Sequence, residues 1–208
     1  MKKILFLFLS TFISLTIISC GSSDDGSTST GNTTTSLWTK QLGTSSSDGG
    51  SGVTTDSSGN VYVTGYTLGG LDGNTNLADN DIFLVKYNSS GTRQWTKQLG
   101  TTYTDYGLGV ITDSSGNIYV TGEIGAELDG NTYLGNFDIF LVKYNSSGTK
   151  QWTKQLGTSS GDYGNSVTTD SSGNIYVTGD TYGGLDGNTN SGSVDIFLVK
   201  YNSDGVKQ

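Results

Sequence analysis

The amino-acid sequence lacks the commonest catalytic side chains. It contains no histidine, and its one cysteine is Cys20. A Ser–His or Cys–His nucleophile pair is therefore excluded, and so is a zinc site built from histidine and cysteine. The groups left for chemistry are carboxylates, lysines, hydroxyls and tyrosines. A pair of carboxylates could act on a polysaccharide as a hydrolase or lyase, and this is the enzymatic alternative for the chain.

The recurrence of the aspartates argues against that alternative. Asp56, Asp113 and Asp170 each precede the same Ser-Ser-Gly-Asn turn. A single active site would not need one acid in every copy, whereas a turn needs an acceptor for its own backbone N–H groups. We therefore expect these aspartates to stabilise turns, and we expect no catalytic residues in this protein.

A second recurring acid offers the only hint of a metal. The segment Asp-Gly-Asn-Thr-Asn begins at Asp72 and at Asp186, and in the middle copy Tyr133 replaces its last Asn. Oxygen donors at alternate positions resemble the start of a calcium loop, but the later Gly and the bidentate Glu are missing. We favour plain turn formation. The alternative is weak calcium binding by Asp72, Asn74, Asn76, Asp186, Asn188 and Asn190.

The elements that position these residues repeat with a fixed period. Trp-Thr-Lys-Gln-Leu-Gly begins at Trp38, Trp95 and Trp152, which are 57 residues apart, and this divides the chain into repeats 38–94, 95–151 and 152–208. Each repeat has four runs of strand-forming residues separated by Gly- and Asn-rich turns. In the first repeat the runs are 52–55, 60–65, 81–87 and 92–99. A period of this size is typical of propellers and solenoids.

The repeated motifs also carry a family resemblance. Trp-x-x-Gln-x-Gly, then Asp-x-x-Gly-Asn-x-Tyr-Val-Thr-Gly, then Asp-Ile-Phe-Leu-Val-Lys-Tyr-Asn-x-x-Gly is similar to the bacterial SBBP repeat, which is named for seven-bladed propellers. The resemblance covers residues 38–208. It implies an extracytoplasmic location and no particular reaction or ligand. We predict an all-β, propeller-like array of three four-stranded antiparallel blades.

The number and phase of the repeats raise a question of closure. Three blades are fewer than the four to eight of a usual ring. Leu37–Leu42 has the sequence of a fourth strand, and the third repeat stops at Gln208, before its own outer strand. We expect Leu37–Leu42 to complete the third blade, by strand exchange in a homodimer with a six-bladed ring. The alternatives are a monomeric open arc of three blades, closure within one chain, and a structural repeat or truncated fragment of a longer propeller.

Differences between the repeats fall on one rim. The segments between the fourth and first strands and between the second and third strands vary, and in antiparallel blades these connections emerge on the same face. Variable loops on a rigid scaffold are typical binding sites, although neutral variation would look the same. The rim suits an unknown protein or carbohydrate ligand, with candidate contacts Tyr66, Tyr103, Tyr106, Tyr133, Phe137, Tyr163 and Tyr182.

The beginning of the chain predicts secretion and a lipid anchor. Lys2 and Lys3 precede an apolar run that ends at Ile17-Ile18-Ser19-Cys20. We interpret residues 1–20 as a lipoprotein signal peptide whose Cys20 is lipidated, and residues 21–36 as a polar tether. The net charge of −8 argues against nucleic acid as a partner. We expect a bacterial protein attached through lipid to the outer membrane or cell surface.

Overall fold

Three antiparallel sheets follow one another along the chain. The computed structural model describes residues 37–208, so the predicted signal peptide, the lipidation of Cys20 and the tether lie outside the described residues. Helix in the described part is confined to two short 3-10 turns, and the prediction of an all-β array of blades is confirmed. No helix between residues 37 and 208 is long and apolar enough to cross a lipid bilayer.

The strands keep the order of the sequence within each blade. Blade 1 contains β1 (Asp48–Thr55), β2 (Val61–Thr67), β3 (Asp81–Tyr87) and β4 (Arg93–Leu99); blade 2 contains β5 (Asp105–Thr112), β6 (Ile118–Ile124), β7 (Asp138–Tyr144) and β8 (Lys150–Leu156). Blade 3 contains β9 (Asp162–Thr169), β10 (Ile175–Thr181) and β11 (Asp195–Tyr201). The 3-10 turns are Leu71–Gly73 and Leu185–Gly187.

Alternation along the third strand of each blade builds the core. In β3, Phe83 and Val85 lie on one face and Ile82 and Leu84 on the other, and all four are buried. Ile82 and Leu84 belong to a cluster with residues of blade 2, including Val110, so the core lies between blades. Burying one such side chain stabilises the fold by about 1.5–3 kcal/mol.

Trp95 joins two neighbouring blades. Its ring lies 6.1 Å from that of Tyr62 in its own blade and packs against the core shared with blade 2. A Cβ added at Gly148, in the last hairpin of blade 2, would meet the Trp95 ring at 3.0 Å. Gly148 has a positive φ of 77°, which glycine adopts without steric cost. This glycine therefore allows the tight turn and also leaves room for the Trp95 ring.

The outer strand of blade 3 differs from those of the other blades. The sheet of blade 3 has three strands, as the phase of the repeats predicts. A single bridge between Tyr201 and Lys207 marks where a fourth strand would begin. Leu37–Leu42 pairs with no strand among the described residues of this single chain, and its predicted pairing with blade 3 stays a prediction. Trp38 and Lys40 instead approach Gly91 of blade 1, as Trp95 and Lys97 approach Gly148. The segment thus lies against blade 1, because the same Trp-on-glycine contact is available there.

Candidate functional site

The face of the blades opposite the variable loops carries the tight hairpins between the first and second strands and between the third and fourth strands, and we call it the hairpin face. One turn is repeated on this face. Asp56 accepts hydrogen bonds from the backbone N–H of Ser58 and from the backbone and side-chain amides of Asn60 at 2.8–3.0 Å. The Tyr62 hydroxyl donates to the same carboxylate at 3.0 Å. Asp113 and Asp170 make the same four contacts in blades 2 and 3. The prediction that these aspartates stabilise their own turns is confirmed.

The opposite, variable face contains a cleft between the loops of blades 1 and 2. Its volume is about 600 Å³. Asp79 comes from the loop before β3, Tyr103 from the loop before β5, and Tyr133 and Phe137 from the loop before β7. Tyr103 is 60% exposed, and the Tyr133 hydroxyl donates to the Asn136 carbonyl at 2.7 Å. Thr104, Gly125, Ala126 and Asn136 complete the lining.

All three aromatic rings of the cleft break the repeat symmetry. The residues that correspond to Tyr103 in the other repeats are serines, and those that correspond to Tyr133 are asparagines. Asn and Val stand in place of Phe137. The structure brings these three predicted residues together in one cleft, which the sequence alone did not do. Within residues 37–208 this combination of rings therefore occurs once and is not repeated in each blade.

Buried aspartates hold the loops of the cleft in place. Asp105 accepts hydrogen bonds from the Thr101 and Gly125 backbone N–H groups, and burial raises its pKa to about 6 against these bonds. Asp138 accepts from the Leu134 N–H at 3.0 Å and from Gln155 at 2.8 Å, and burial raises its pKa too. Sequence analysis assigned these two acids no role; their position at the start of a strand after a variable loop is the signal that could have found them.

The other four predicted aromatic residues of the variable face lie at or beside the contacts between neighbouring blades. We call the contact of blade 1 with blade 2 the first seam and that of blade 2 with blade 3 the second seam. Tyr66 of blade 1 and Tyr106 of blade 2 pack edge to face at 5.1 Å, and Asn80 donates to the Tyr106 hydroxyl at 2.9 Å. Tyr163 lies at the second seam, 5.8 Å from Phe137 and 5.9 Å from Tyr182. The seven predicted residues therefore divide into a cleft and two packed seams, joined by Phe137.

Glu123 occupies a position that differs in all three repeats, with Tyr66 in blade 1 and Asp180 in blade 3. It replaces Tyr66 of blade 1 and stands opposite Tyr106 in the β5–β6 pair. Its side chain is partly buried, and this burial raises its pKa to about 7. The negative charge of Glu123 also helps to raise the pKa of Tyr163, after the larger effect of burial. The charge was visible in the sequence, but its burial depends on the neighbouring blade.

The Asp-Gly-Asn segments are turns whose acids face basic side chains. Asp72 has a positive φ of 55° and forms an ion pair with Arg93 at 2.7 Å. The Asn74 amide donates to the Leu71 carbonyl, and the Asn76 amide donates to the Thr67 carbonyl. In the third repeat Asp186 pairs with Lys207, while Asn188 and Asn190 donate to the equivalent carbonyls. These are the contacts of turn formers; calcium binding stays a prediction.

The described part of the chain offers no cluster of three or more acidic, histidine or cysteine side chains suited to a metal ion. The arrangement on the variable face suits contact with a ligand. Rings supply apolar contact area, and Asp79 and backbone groups supply polar contacts. Ligand sites commonly have this mixture and a volume of about 300–1,000 Å³.

Comparisons with known proteins agree with the architecture. A sequence profile described as "Beta-propeller repeat", SBBP, matches residues 37–72, 94–129 and 151–186. An uncharacterized WD repeat-containing protein of Acanthamoeba polyphaga mimivirus is 29% identical over 188 residues, covering 71% of this chain and 13% of that protein. Regulatory protein FlaEY of Caulobacter vibrioides is 29% identical over 171 residues, covering 74% of this chain and 18% of its own length. The chain thus spans less than a fifth of each of these relatives.

Proposed function

Because the chain belongs to the SBBP family of beta-propeller repeats, we propose that it is a non-catalytic binding or adhesion module whose ligand occupies the cleft on the variable face. The observation that carries this proposal is the convergence of Tyr103, Tyr133 and Phe137, each peculiar to the second repeat, on one cleft. Serine, asparagine or valine stands at these positions in the other two repeats, so the blade fold itself does not require aromatic residues there.

The chemistry of the cleft favours a carbohydrate over a protein ligand. Tyr103 is exposed and its ring is free to stack on the apolar face of a sugar, while Asp79 supplies a hydrogen-bond acceptor for hydroxyls. Asp105 and Asp138 fix the loops that carry the rings, so little ordering is left to be done on binding. A protein ligand remains the other class that this face suits.

Binding of the full chain to an oligosaccharide array, followed by calorimetry on the best ligand, tests the proposal. We expect Tyr103→Ala to weaken binding at least tenfold without loss of stability, because the side chain is mostly exposed. Tyr182→Ala is the matched control, since Tyr182 is an exposed tyrosine of the same face outside the cleft. Equal losses in the two variants, or binding to no oligosaccharide, would contradict the carbohydrate site.

A lipid anchor outside the cytoplasm is the second part of the proposal. It rests on Ile17-Ile18-Ser19-Cys20, on the absence of any other cysteine in the sequence, and on the family's association with extracytoplasmic proteins. We propose attachment to the bacterial outer membrane or cell surface through Cys20. Cys20→Ala should abolish metabolic labelling with fatty acid and release the protein from membranes. Labelling that survives this substitution would overturn the anchor.

Glu123 favours a second candidate, a carboxylate-based polysaccharide hydrolase or lyase. A partly buried acid whose pKa is raised to about 7 has the property required of a general acid. Glycosidases need a second carboxylate at a set distance, and Asp180 at the corresponding position of blade 3 is engaged by Asn165 at 2.9 Å. Release of reducing ends or unsaturated products by the wild-type chain, lost in Glu123→Gln, would favour this candidate; activity that survives the substitution would not.

A further inference from the structure

The two ends of the three-blade array expose surfaces that are buried elsewhere in the molecule. Ile196 and Leu198 in β11 are 88% and 72% exposed. Their counterparts in β3, Ile82 and Leu84, are each 2% exposed because blade 2 covers them. Within residues 37–208 no strand pairs with the outer edge of β11 beyond the bridge from Tyr201 to Lys207. Blade 3 therefore presents an apolar face and an open strand edge.

Blade 1 presents the opposite surface. An apolar groove of about 350 Å³ runs along it, lined by residues that include Val53, which is 68% exposed, and Val63 and Val85. Trp38 and Leu42 line the same groove, so the Leu37–Leu42 segment lies at its margin. This is the face on which a preceding blade would pack.

The seams inside the chain show how these two surfaces fit. At the first seam Ile82 and Thr64 of blade 1 fit over Gly107, where an added Cβ would meet them at 2.9 and 2.5 Å. At the second seam Ile139 and Thr121 fit over Gly164 in the same way. Gly50 is the corresponding residue of blade 1, and the nearest atom to a Cβ added there belongs to Val63, 3.9 Å away. The slot at Gly50 is thus formed and open.

We propose that the occupant is a second copy of this chain. Blade 3 of one copy packs on blade 1 of the other, with Ile196 and Thr178 over Gly50, and Leu37–Leu42 of the second copy becomes the missing outer strand of blade 3. The argument is continuity: the same contact exists twice within the chain, between residues of the same types at the same repeat positions. In such a pair the apolar face of blade 3 and the groove of blade 1 are both covered, and the outer edge of β11 gains a partner.

The register of the added strand follows from blade 1. Leu84 pairs with Lys97 and Ile82 with Leu99, so Leu198 is expected opposite Lys40 of the copy. Gln208 already occupies the place of Gln94, since its N–H donates to the Lys200 carbonyl at 3.0 Å. The copy therefore enters the sheet at Trp38. Trp38 already lies on the hairpin of its own blade 1, as Trp95 lies on the hairpin of blade 2. Leu37–Leu42 and blade 1 of one copy can therefore dock together on blade 3 of the other copy.

Disulfide trapping in the full chain tests this geometry. Lys40→Cys and Leu198→Cys, carried on two differently tagged chains expressed together, should form a covalent heterodimer on mild oxidation. The chain that keeps only Cys20 gives the background, and Lys40→Cys paired with Leu134→Cys, an exposed leucine on blade 2, is the negative control. Cross-linking no greater than in these controls would overturn the proposal.

A single chain with both substitutions separates the possible closures. A covalent dimer supports the two-copy ring. A monomer with an internal disulfide would mean that Leu37–Leu42 closes its own chain. A ladder of trimers and larger species would mean open, head-to-tail assembly. Either of the last two outcomes overturns the closed pair.

Glycine substitutions provide a matched set for the docking of the faces. Gly50→Val fills open space in the single chain, so it should leave the melting temperature of the fold unchanged while it reduces the trapped heterodimer at least fivefold. Gly107→Val should destabilise the fold itself, because blade 1 already occupies that slot. Ile196→Asp gives an independent check, since the side chain is exposed in one copy and buried in the pair. Undiminished trapping in both Gly50→Val and Ile196→Asp would contradict the proposed interface.

Discussion

The hairpin face and the variable face are built on the same strands but follow different rules. On the hairpin face the tyrosine hydroxyls of Tyr62 and Tyr119 donate to Asp56 and Asp113 at the same distance of 3.0 Å. On the variable face the corresponding strand ends carry Tyr66 in one blade and Glu123 in the next. One face repeats a polar network, and the other repeats only the path of its backbone.

The difference shows where the fold requires a particular side chain. At the hairpins the chain reverses within a few residues, so one carboxylate must accept several N–H groups that no strand partner satisfies. At the variable face the loops are longer, and buried acids such as Asp138 anchor them from the strand side. Side chains beyond that anchor are free to change. The hairpin face therefore carries side chains that the fold requires in every blade, whereas most side chains of the variable face are free to change.

The largest effect is expected from breaking the hairpin network in the central blade. Asp113→Ala removes an acceptor that serves four donors: the backbone N–H groups of Ser115 and Asn117, the side-chain amide of Asn117 and the hydroxyl of Tyr119. Tyr119 is 1% exposed. Leaving the hydroxyl of the buried Tyr119 and the partly buried donors of Asn117 without an acceptor should lower the free energy of unfolding by about 3 kcal/mol. Urea denaturation followed by tryptophan fluorescence measures it.

Glu127→Ala is the control for this substitution, because Glu127 is an exposed acid of the variable face. We expect it to change the free energy of unfolding by less than about 0.5 kcal/mol. Similar losses in Asp113→Ala and Glu127→Ala would mean that the two faces do not differ in the way described.

A smaller effect, with a distinctive pH dependence, is expected at Glu123. Burial raises its pKa from 4.5 to about 7, so the folded protein holds this proton more tightly than the unfolded chain does. The stability contributed by the protonated acid is present below pH 4.5 and is lost as the pH rises towards 7. Glu123→Gln cannot ionise, and it should be more stable than wild type at pH 8 by on the order of 2 kcal/mol.

The same comparison at pH 4 should show little difference between Glu123→Gln and wild type, because the acid is then neutral in both the folded and the unfolded states. Denaturation curves at both pH values give the two differences. A difference that is the same at pH 4 and pH 8 would show that the charge of Glu123 is not what costs stability. The experiment thus separates a tolerated rim residue from one that strains the scaffold.

Much of the fold could be predicted from the sequence, because its determinants are local. The continuous apolar run within Asp81–Tyr87 and the turn glycine after it define the same strand and hairpin in every copy. The three-stranded sheet of blade 3 could be predicted from the phase of the 57-residue repeat, which places the fourth strand of each blade at the start of the next repeat. The predicted first strand, 52–55, was too short: β1 begins at Asp48, where polar and glycine residues join the ladder by pairing with β2. That pairing is a tertiary contact which composition does not reveal.

The candidate site was harder to predict, because it depends on which loops meet. Seven aromatic residues shared one face in the sequence analysis, but contact between loops of different blades selects Tyr103, Tyr133 and Phe137 for the cleft. Tyr66 and Tyr106 are instead used for packing at a seam. Such choices depend on distances between residues far apart in the chain, which repeat alignment does not contain.

The smallest of these effects is expected at the Asp-Gly-Asn turns. These turns belong to the loops of the variable face, but their sequence repeats as the hairpin turns do. Asp72→Asn removes the ion pair with Arg93 and keeps a residue type that tolerates the positive φ. Because the pair is partly exposed, the loss should be about 0.5 kcal/mol and should fade at high salt. Thermal melting in low and high salt measures it. A melting temperature that calcium raises in wild type but not in Asp72→Asn would instead establish the calcium alternative.

The contact of each tryptophan with the hairpin glycine of the following blade has an evolutionary consequence. Trp38, Trp95 and Trp152 meet Gly91, Gly148 and Gly205 through the same geometry. Recombination between copies that adds or removes one 57-residue unit therefore joins surfaces already selected to fit, and the gene can change length without a new packing solution. Lineages of such proteins are expected to differ in whole repeats more readily than in the length of any single strand.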